Sequence, residues 1–123
     1  MALNESREMY LESILVVSER LAKVRAIDVV EHMGFSKPSV SRALSLLKQE
    51  NLISVNRGAI TLTDEGKRLA ERTYERHLLL TRVLTSLGVS EETASMDACR
   101  VEHYISEETF DAIKRRMEQK NEK

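Results

Sequence analysis

A thiol, a carboxylate and an imidazole fall within one short segment of this sequence, Cys99-Arg100-Val101-Glu102-His103. On a helix, positions i, i+3 and i+4 share a face, so the three side chains can converge. Thiolate and imidazole bind divalent transition metals strongly, and a carboxylate adds charge neutralisation. Taken alone, a core cysteine beside a surface Glu-His pair accounts for the same triplet. Met9 and Glu12, three residues apart, add a thioether and a carboxylate at one edge of an apolar stripe. His77 has Thr73, Tyr74, Leu80 and Thr81 one helical turn away, so it need not be solvated. A methionine in such a place is commonly core filler, and a lone histidine commonly a hydrogen-bonded core residue. The recurrence of metal-ligand types on three helical segments is what weighs against those readings.

The elements that must position these residues follow from periodicity. From Arg7 to Glu19, Tyr10, Leu11, Ile14, Leu15 and Val17 recur at helical spacing. Ala26 to Met33 reads as a short second helix closed by Gly34, where a left-handed cap forms without steric cost. Ser36 caps a third helix running to about Glu50, with Pro38 in its first turn, and Val40, Ala43, Leu44 and Leu47 form its buried stripe. Ser39, Arg42 and Ser45 lie off that stripe, and small and basic residues there let a helix approach a duplex. Two β-branched segments, Leu52 to Val55 and Ala59 to Leu62, flank the tight turn Asn56-Arg57-Gly58 and form a wing. Thr63 caps a long helix reaching Leu87 before Gly88 stops it. Ser90 caps a fifth helix through about His103, and Ser106 caps a sixth that ends in a charged tail expected to fray.

The expected fold is therefore mostly α: an N-terminal winged helix-turn-helix with a two-strand wing over residues 1–71, followed by a helical dimerisation domain over 72–123. Helix, helix-turn-helix and wing in this order is a DNA-binding architecture, because the third helix can enter a major groove. The same architecture also serves as a protein-interaction module.

Composition bounds the alternatives. The 123 residues allow one compact unit or a small domain with a dimerisation segment. The formal net charge of −1 is not that of a strongly basic nucleic-acid binder, but it is segregated: Arg20 to Arg68 carries a local +4 and the remainder −5. There is one cysteine, so an intrachain disulfide is excluded, leaving Cys99 as packing residue, nucleophile or metal ligand. No apolar run long enough to span a bilayer occurs, and the N-terminus lacks a secretory signal, so a cytoplasmic protein is expected.

In EMYLESI, SKPSVSRALSLLKQENLI, NRGAITLTDEGKRLA, ERHLLLTRVL and DACRVEHYIS, taken in this order, the chain resembles the diphtheria-toxin-repressor family of iron- and manganese-dependent regulators. The resemblance covers roughly Arg7 to Met117 and is to the short form, without the C-terminal SH3-like domain of many relatives. It implies a homodimer whose metal site lies between the first, long and fifth helices. Met9, Cys99, Glu102 and His103 match the activating site of the iron-sensing branch; the manganese branch usually has Asp and Glu at the first two. Glu12 and His77 match positions that help hold a second ion in the manganese branch, which Cys99 puts in doubt. The ancillary site of the iron branch looks altered, with Thr81 where it has Glu and Ser95 where it has His. Ser36, Pro38 and Arg42 sit where family members meet base edges, with Ser39 nearby for phosphate, Arg57 on the wing, and Lys37 completing the DNA-facing set.

The expected function is a metal-dependent repressor, not an enzyme, that binds double-stranded DNA at a pseudo-palindromic operator and controls metal-uptake genes. The sulfur donors favour Fe(II) over Mn(II), with Zn(II) or Co(II) as substitutes in vitro. The strongest rival is a metal-independent winged-helix regulator in which Cys99 senses oxidants, with Arg100 lowering the thiol pKa. A metalloenzyme using the same ligands is a third reading, without a paired base or phosphate-binding loop to support it.

Overall fold

The computed structural model describes residues 2–121, and side chains over 6–119. Six helices and one hairpin follow in the order α1 (Ala2–Ser18), α2 (Ala26–Met33), α3 (Lys37–Gln49), β1 (Ile53–Asn56), β2 (Ala59–Leu62), α4 (Asp64–Ser86), α5 (Glu91–Val101) and α6 (Glu107–Asn121). The chain forms two compact units, Met1–Arg72 and Thr73–Lys123, and the division falls inside α4. The expected fraying of the C-terminal tail concerns its last residues, of which 122 and 123 lie outside the described ones.

In the first unit the apolar stripes meet as their spacing dictates. Leu11, Ile14 and Val17 of α1, Val29 of α2, and Val40, Leu44 and Leu47 of α3 form one buried core with Ile53 and Ile60 of the hairpin. Each such side chain contributes about 1.5–3 kcal/mol by leaving water. β1 and β2 pair antiparallel with Ile53 opposite Leu62 and Asn56 opposite Ala59. A third backbone segment joins them, since the amide of Ile60 donates to the carbonyl of Val24 at 2.7 Å. That bridge has no periodic pattern in the sequence to announce it. Gly66 fits α4 beside the wing: a Cβ there would lie 1.9 Å from the carbonyl oxygen of Leu52, so only glycine fits this backbone.

The helix ends are where the expected caps occur. Gly34 closes α2 at φ 75°. The Ser36 hydroxyl accepts from the amide of Ser39, as those of Thr63, Ser90 and Ser106 do from the amides of Gly66, Thr93 and Thr109. α3 ends in a Schellman motif: Asn51 takes φ 60°, its amide donates to the carbonyl of Lys48, and that of Leu52 donates to the carbonyl of Leu47. Because Leu52 is used there, and its carbonyl accepts from Thr63, β1 begins at Ile53 and not at Leu52 as its β-branched pattern predicts. Gly88 ends α4 in the same way, with the amide of Val89 on the carbonyl of Leu84.

Two other boundaries differ. α1 starts at Ala2, ahead of Arg7, because Ala2, Leu3 and Glu5 are good helix formers that the apolar stripe does not mark. α5 stops at Val101, short of His103, and residues 102–104 form a turn.

Candidate metal centre and nucleic-acid interface

The six candidate metal ligands divide between the units. Met9 and Glu12 are half-buried on α1 in the first; His77 on α4, Cys99 on α5, and Glu102 and His103 in the turn after it belong to the second. On α1 the neighbouring Ser13 hydroxyl lies 2.7 Å from Nδ1 of His32, which fixes α2 against α1. Burial first, and then the charge of Arg20, push the His32 imidazole below its usual range.

In the second unit the structure brings Glu102, His77 and His103 together. The Glu102 carboxylate is fully buried, with Oε2 2.9 Å from Nδ1 of His77 and Oε1 3.4 Å from Nε2 of His103. Oε1 accepts no hydrogen bond among the described residues. An ionised carboxylate in such a place is costly unless positive charge compensates it. Two imidazoles can do so by binding protons, or the three groups together can hold a divalent cation. Cys99 is half-buried on the last turn of α5. The expectation that Cys99, Glu102 and His103 share one face of a continuous helix needs correction at its end. Glu102 keeps helical geometry, with φ −58° and ψ −25° and its amide on the carbonyl of Ala98, so it still stands one turn after Cys99. His103 lies beyond the helix, in the turn.

That turn exists because of a residue the sequence reading passed over. Arg76, on α4, is buried and donates from one guanidinium nitrogen to the carbonyls of Glu102, at 3.2 Å, and Ile105, at 3.1 Å. It thereby takes up carbonyls that a helix C-terminus leaves without partners. The available signal was its register, since Thr73, Arg76 and Leu80 fall at i, i+3 and i+7 and all three are buried.

The donor set fits a divalent transition metal: one buried carboxylate with an oxygen that accepts no hydrogen bond, two imidazoles beside it, and a thiol one turn away. The positions of the altered ancillary pattern fit less well. The Thr81 hydroxyl donates to the carbonyl of His77 at 2.7 Å, back into its own helix, and Ser95 Oγ stands 3.4 Å from Nε2 of His77.

The residues expected to face DNA cluster about the start of α3 and the wing turn. Ser36, Lys37, Pro38 and Arg42 are exposed and Ser39 is half-buried; Arg57 is exposed at the hairpin tip. The first turn of α3 carries no acidic residue, whereas α2, α4, α5 and α6 each carry at least one. The positive end of the α3 dipole is thus left for an external anion such as phosphate. Part of the Ser36 side chain is already committed, because its hydroxyl donates to Ser39 Oγ at 2.9 Å while accepting from the Ser39 amide. Arg25, which sequence reading did not single out, lies against the wing, its guanidinium 3.4 Å from where a Cβ of Gly58 would be.

Comparison with known proteins agrees with this arrangement. Residues 2–58 match the family described as iron dependent repressor, N-terminal DNA binding domain, and residues 63–122 match iron dependent repressor, metal binding and dimerisation domain. The transcriptional regulator MntR of Escherichia coli O6:H1 is 38% identical over 107 residues, covering 85% of this chain and 68% of that one. The HTH-type transcriptional regulator MntR of Bacillus subtilis strain 168 is 33% identical over 109 residues, covering 88% and 77%. A solved manganese-dependent transcriptional repressor in complex with manganese superposes with a TM-score of 0.82 at 29% identity over 89% of this chain, which spans 51% of that structure's chain. Among the described residues, no helix is long and apolar enough to cross a membrane.

Proposed function

This chain belongs to the iron-dependent repressor family, and from that membership we propose that it is a metal-dependent transcriptional repressor acting as a homodimer on a pseudo-palindromic duplex operator. The observation that carries the metal dependence is the buried Glu102 carboxylate flanked by His77 and His103. Met9, Cys99, Glu102 and His103 are its activating ligands; Glu12 and His77 match positions that hold a second ion in the manganese branch, a role that Cys99 disfavours here. When bound, a divalent cation supplies the positive charge that the carboxylate needs. With Met9 among its ligands, such a cation would restrain α1. Because α1 contributes Leu11 and Ile14 to the core that also seats α3, restraint of α1 is restraint of the DNA-reading helix. Effector and operator each favour the same conformation, so each raises affinity for the other.

At the DNA, Arg42 offers a guanidinium to a guanine edge, Pro38 and Ser36 offer close apolar and hydroxyl contact, and Lys37, Ser39 and Arg57 meet phosphate. A solved relative is manganese-dependent, but the sulfur atoms of Met9 and Cys99 favour a softer ion than an oxygen-rich site does, so the effector is Fe(II) ahead of Mn(II), with Zn(II) and Co(II) as substitutes in vitro. The double variant Met9→Asp/Cys99→Glu tests this assignment. Under anaerobic titration, wild type is expected to bind operator DNA at lower Fe(II) than Mn(II), and the variant to reverse that order. An unchanged order would remove the sulfur ligands from the account.

A further inference from the structure

A buried arginine that donates only to backbone needs a reason. The Arg76 side chain is 9% exposed; its guanidinium lies 5.3 Å over the Phe110 ring, and a carboxylate oxygen of Glu107 is 4.0 Å away. Its two hydrogen bonds go to the carbonyls of Glu102 and Ile105, the two ends of the turn that contains His103. This turn has left α5, so its carbonyls lack the ladder that would hold a helical residue in place. The next residue of α4 is His77, whose Nδ1 meets the Glu102 carboxylate at 2.9 Å. Consecutive residues of one helix therefore grip Glu102 at both ends, Arg76 by its backbone and His77 by its side chain.

We propose that Arg76 is a positioning residue for the metal centre: it clamps residues 102–105 to α4 so that the Glu102 and His103 side chains are held where a cation needs them. The inference rests on the metal-binding reading of Glu102 and His103. A guanidinium suits the task because one of its nitrogens donates to both carbonyls while its planar face stacks on Phe110; an ammonium can replace the charge and the donors but not the planar stacking. Both hydrogen bonds fall on backbone oxygens, which leaves Oε1 of Glu102 without a donor and open to a cation. Phe110 and Glu107 extend the clamp to α6, which contributes no candidate ligand.

Co(II) titration under chelator competition, read from visible ligand-field bands, tests the proposal on wild type, Arg76→Met and Arg76→Lys, with metal-free circular dichroism melts to establish folding. Arg76→Met is expected to bind Co(II) about 10–100-fold more weakly, as loss of a group supporting metal ligands does, and with altered bands; Arg76→Lys recovers part of both. A folded Arg76→Met protein with wild-type affinity and bands would overturn the proposal. If Arg76→Met does not fold, Arg76→Lys decides: weakened Co(II) binding supports the clamp, and wild-type binding overturns it. No ligand-field bands in wild type would overturn the metal-binding reading itself, and the clamp with it.

Discussion

At the scale of single residues, Glu102 concentrates the chemistry of the second unit. Its carboxylate is desolvated and held between imidazoles, so without metal it is expected to cost stability, and with metal to return more than it costs. Glu102→Gln keeps the shape and removes the charge. Its metal-free melting temperature should equal or exceed that of wild type, while the rise on adding Mn(II) or Fe(II) disappears. For wild type, that rise corresponds to about 2.7 kcal/mol when metal stands at 100 times its dissociation constant. A Gln variant that retained it, measured by anaerobic differential scanning fluorimetry, would exclude Glu102 as a ligand. Residue type and spacing put Cys99, Glu102 and His103 forward as candidates, but only ligand types on two other helical segments weighed against a core cysteine beside a surface Glu-His pair. Arg76 was not legible in that way. An arginine beside Glu75 in a polar helix reads as a surface residue, and its partners are two carbonyls, which every sequence has and no sequence marks.

At the scale of elements, the wing turn carries a conformational cost that can be measured. Arg57 and Gly58 both take positive φ, 52° and 81°, as a two-residue hairpin of type I′ requires. Glycine adopts this freely, whereas an arginine loses about 1 kcal/mol or more. On the proposed reading, a residue that meets phosphate is kept where asparagine would fold better. Arg57→Asn is therefore expected to raise stability by about 0.5–1 kcal/mol, read as a higher urea midpoint at unchanged slope. It should at the same time weaken operator binding. A variant that is less stable, or that binds as tightly, would contradict one half or the other of that assignment. The glycine at this turn was apparent from sequence, but the positive φ of Arg57 was not, since arginine seldom adopts it. Capping residues marked the starts of α3, α4, α5 and α6 and the ends of α2 and α4 within a residue. Elsewhere the boundaries differ: at β1 the Schellman turn at Asn51 takes up Leu52, and at the end of α5 Arg76 of another helix takes up backbone carbonyls, a tertiary contact that no local pattern marks.

At the scale of the whole molecule, a chain of net charge −1 presents a +4 segment from Arg20 to Arg68, which contains α2, α3 and the wing. Charge segregation of this kind lets one surface approach phosphate while acidic groups elsewhere remain available to cations. The sequence conveyed this division through composition and periodicity; it could not convey which imidazoles meet which carboxylate, because His77 and Glu102 are 25 positions apart and are joined only by folding. The central claim is that metal and operator binding are one coupled equilibrium. It is tested most directly by fluorescence anisotropy under anaerobic conditions, using a duplex selected from a random pool in the presence of metal, first with chelator and then with graded Fe(II) or Mn(II), on wild type and Cys99→Ala. The account predicts wild-type binding that appears only with metal and is lost in Cys99→Ala; wild-type binding of equal strength in chelator would contradict it.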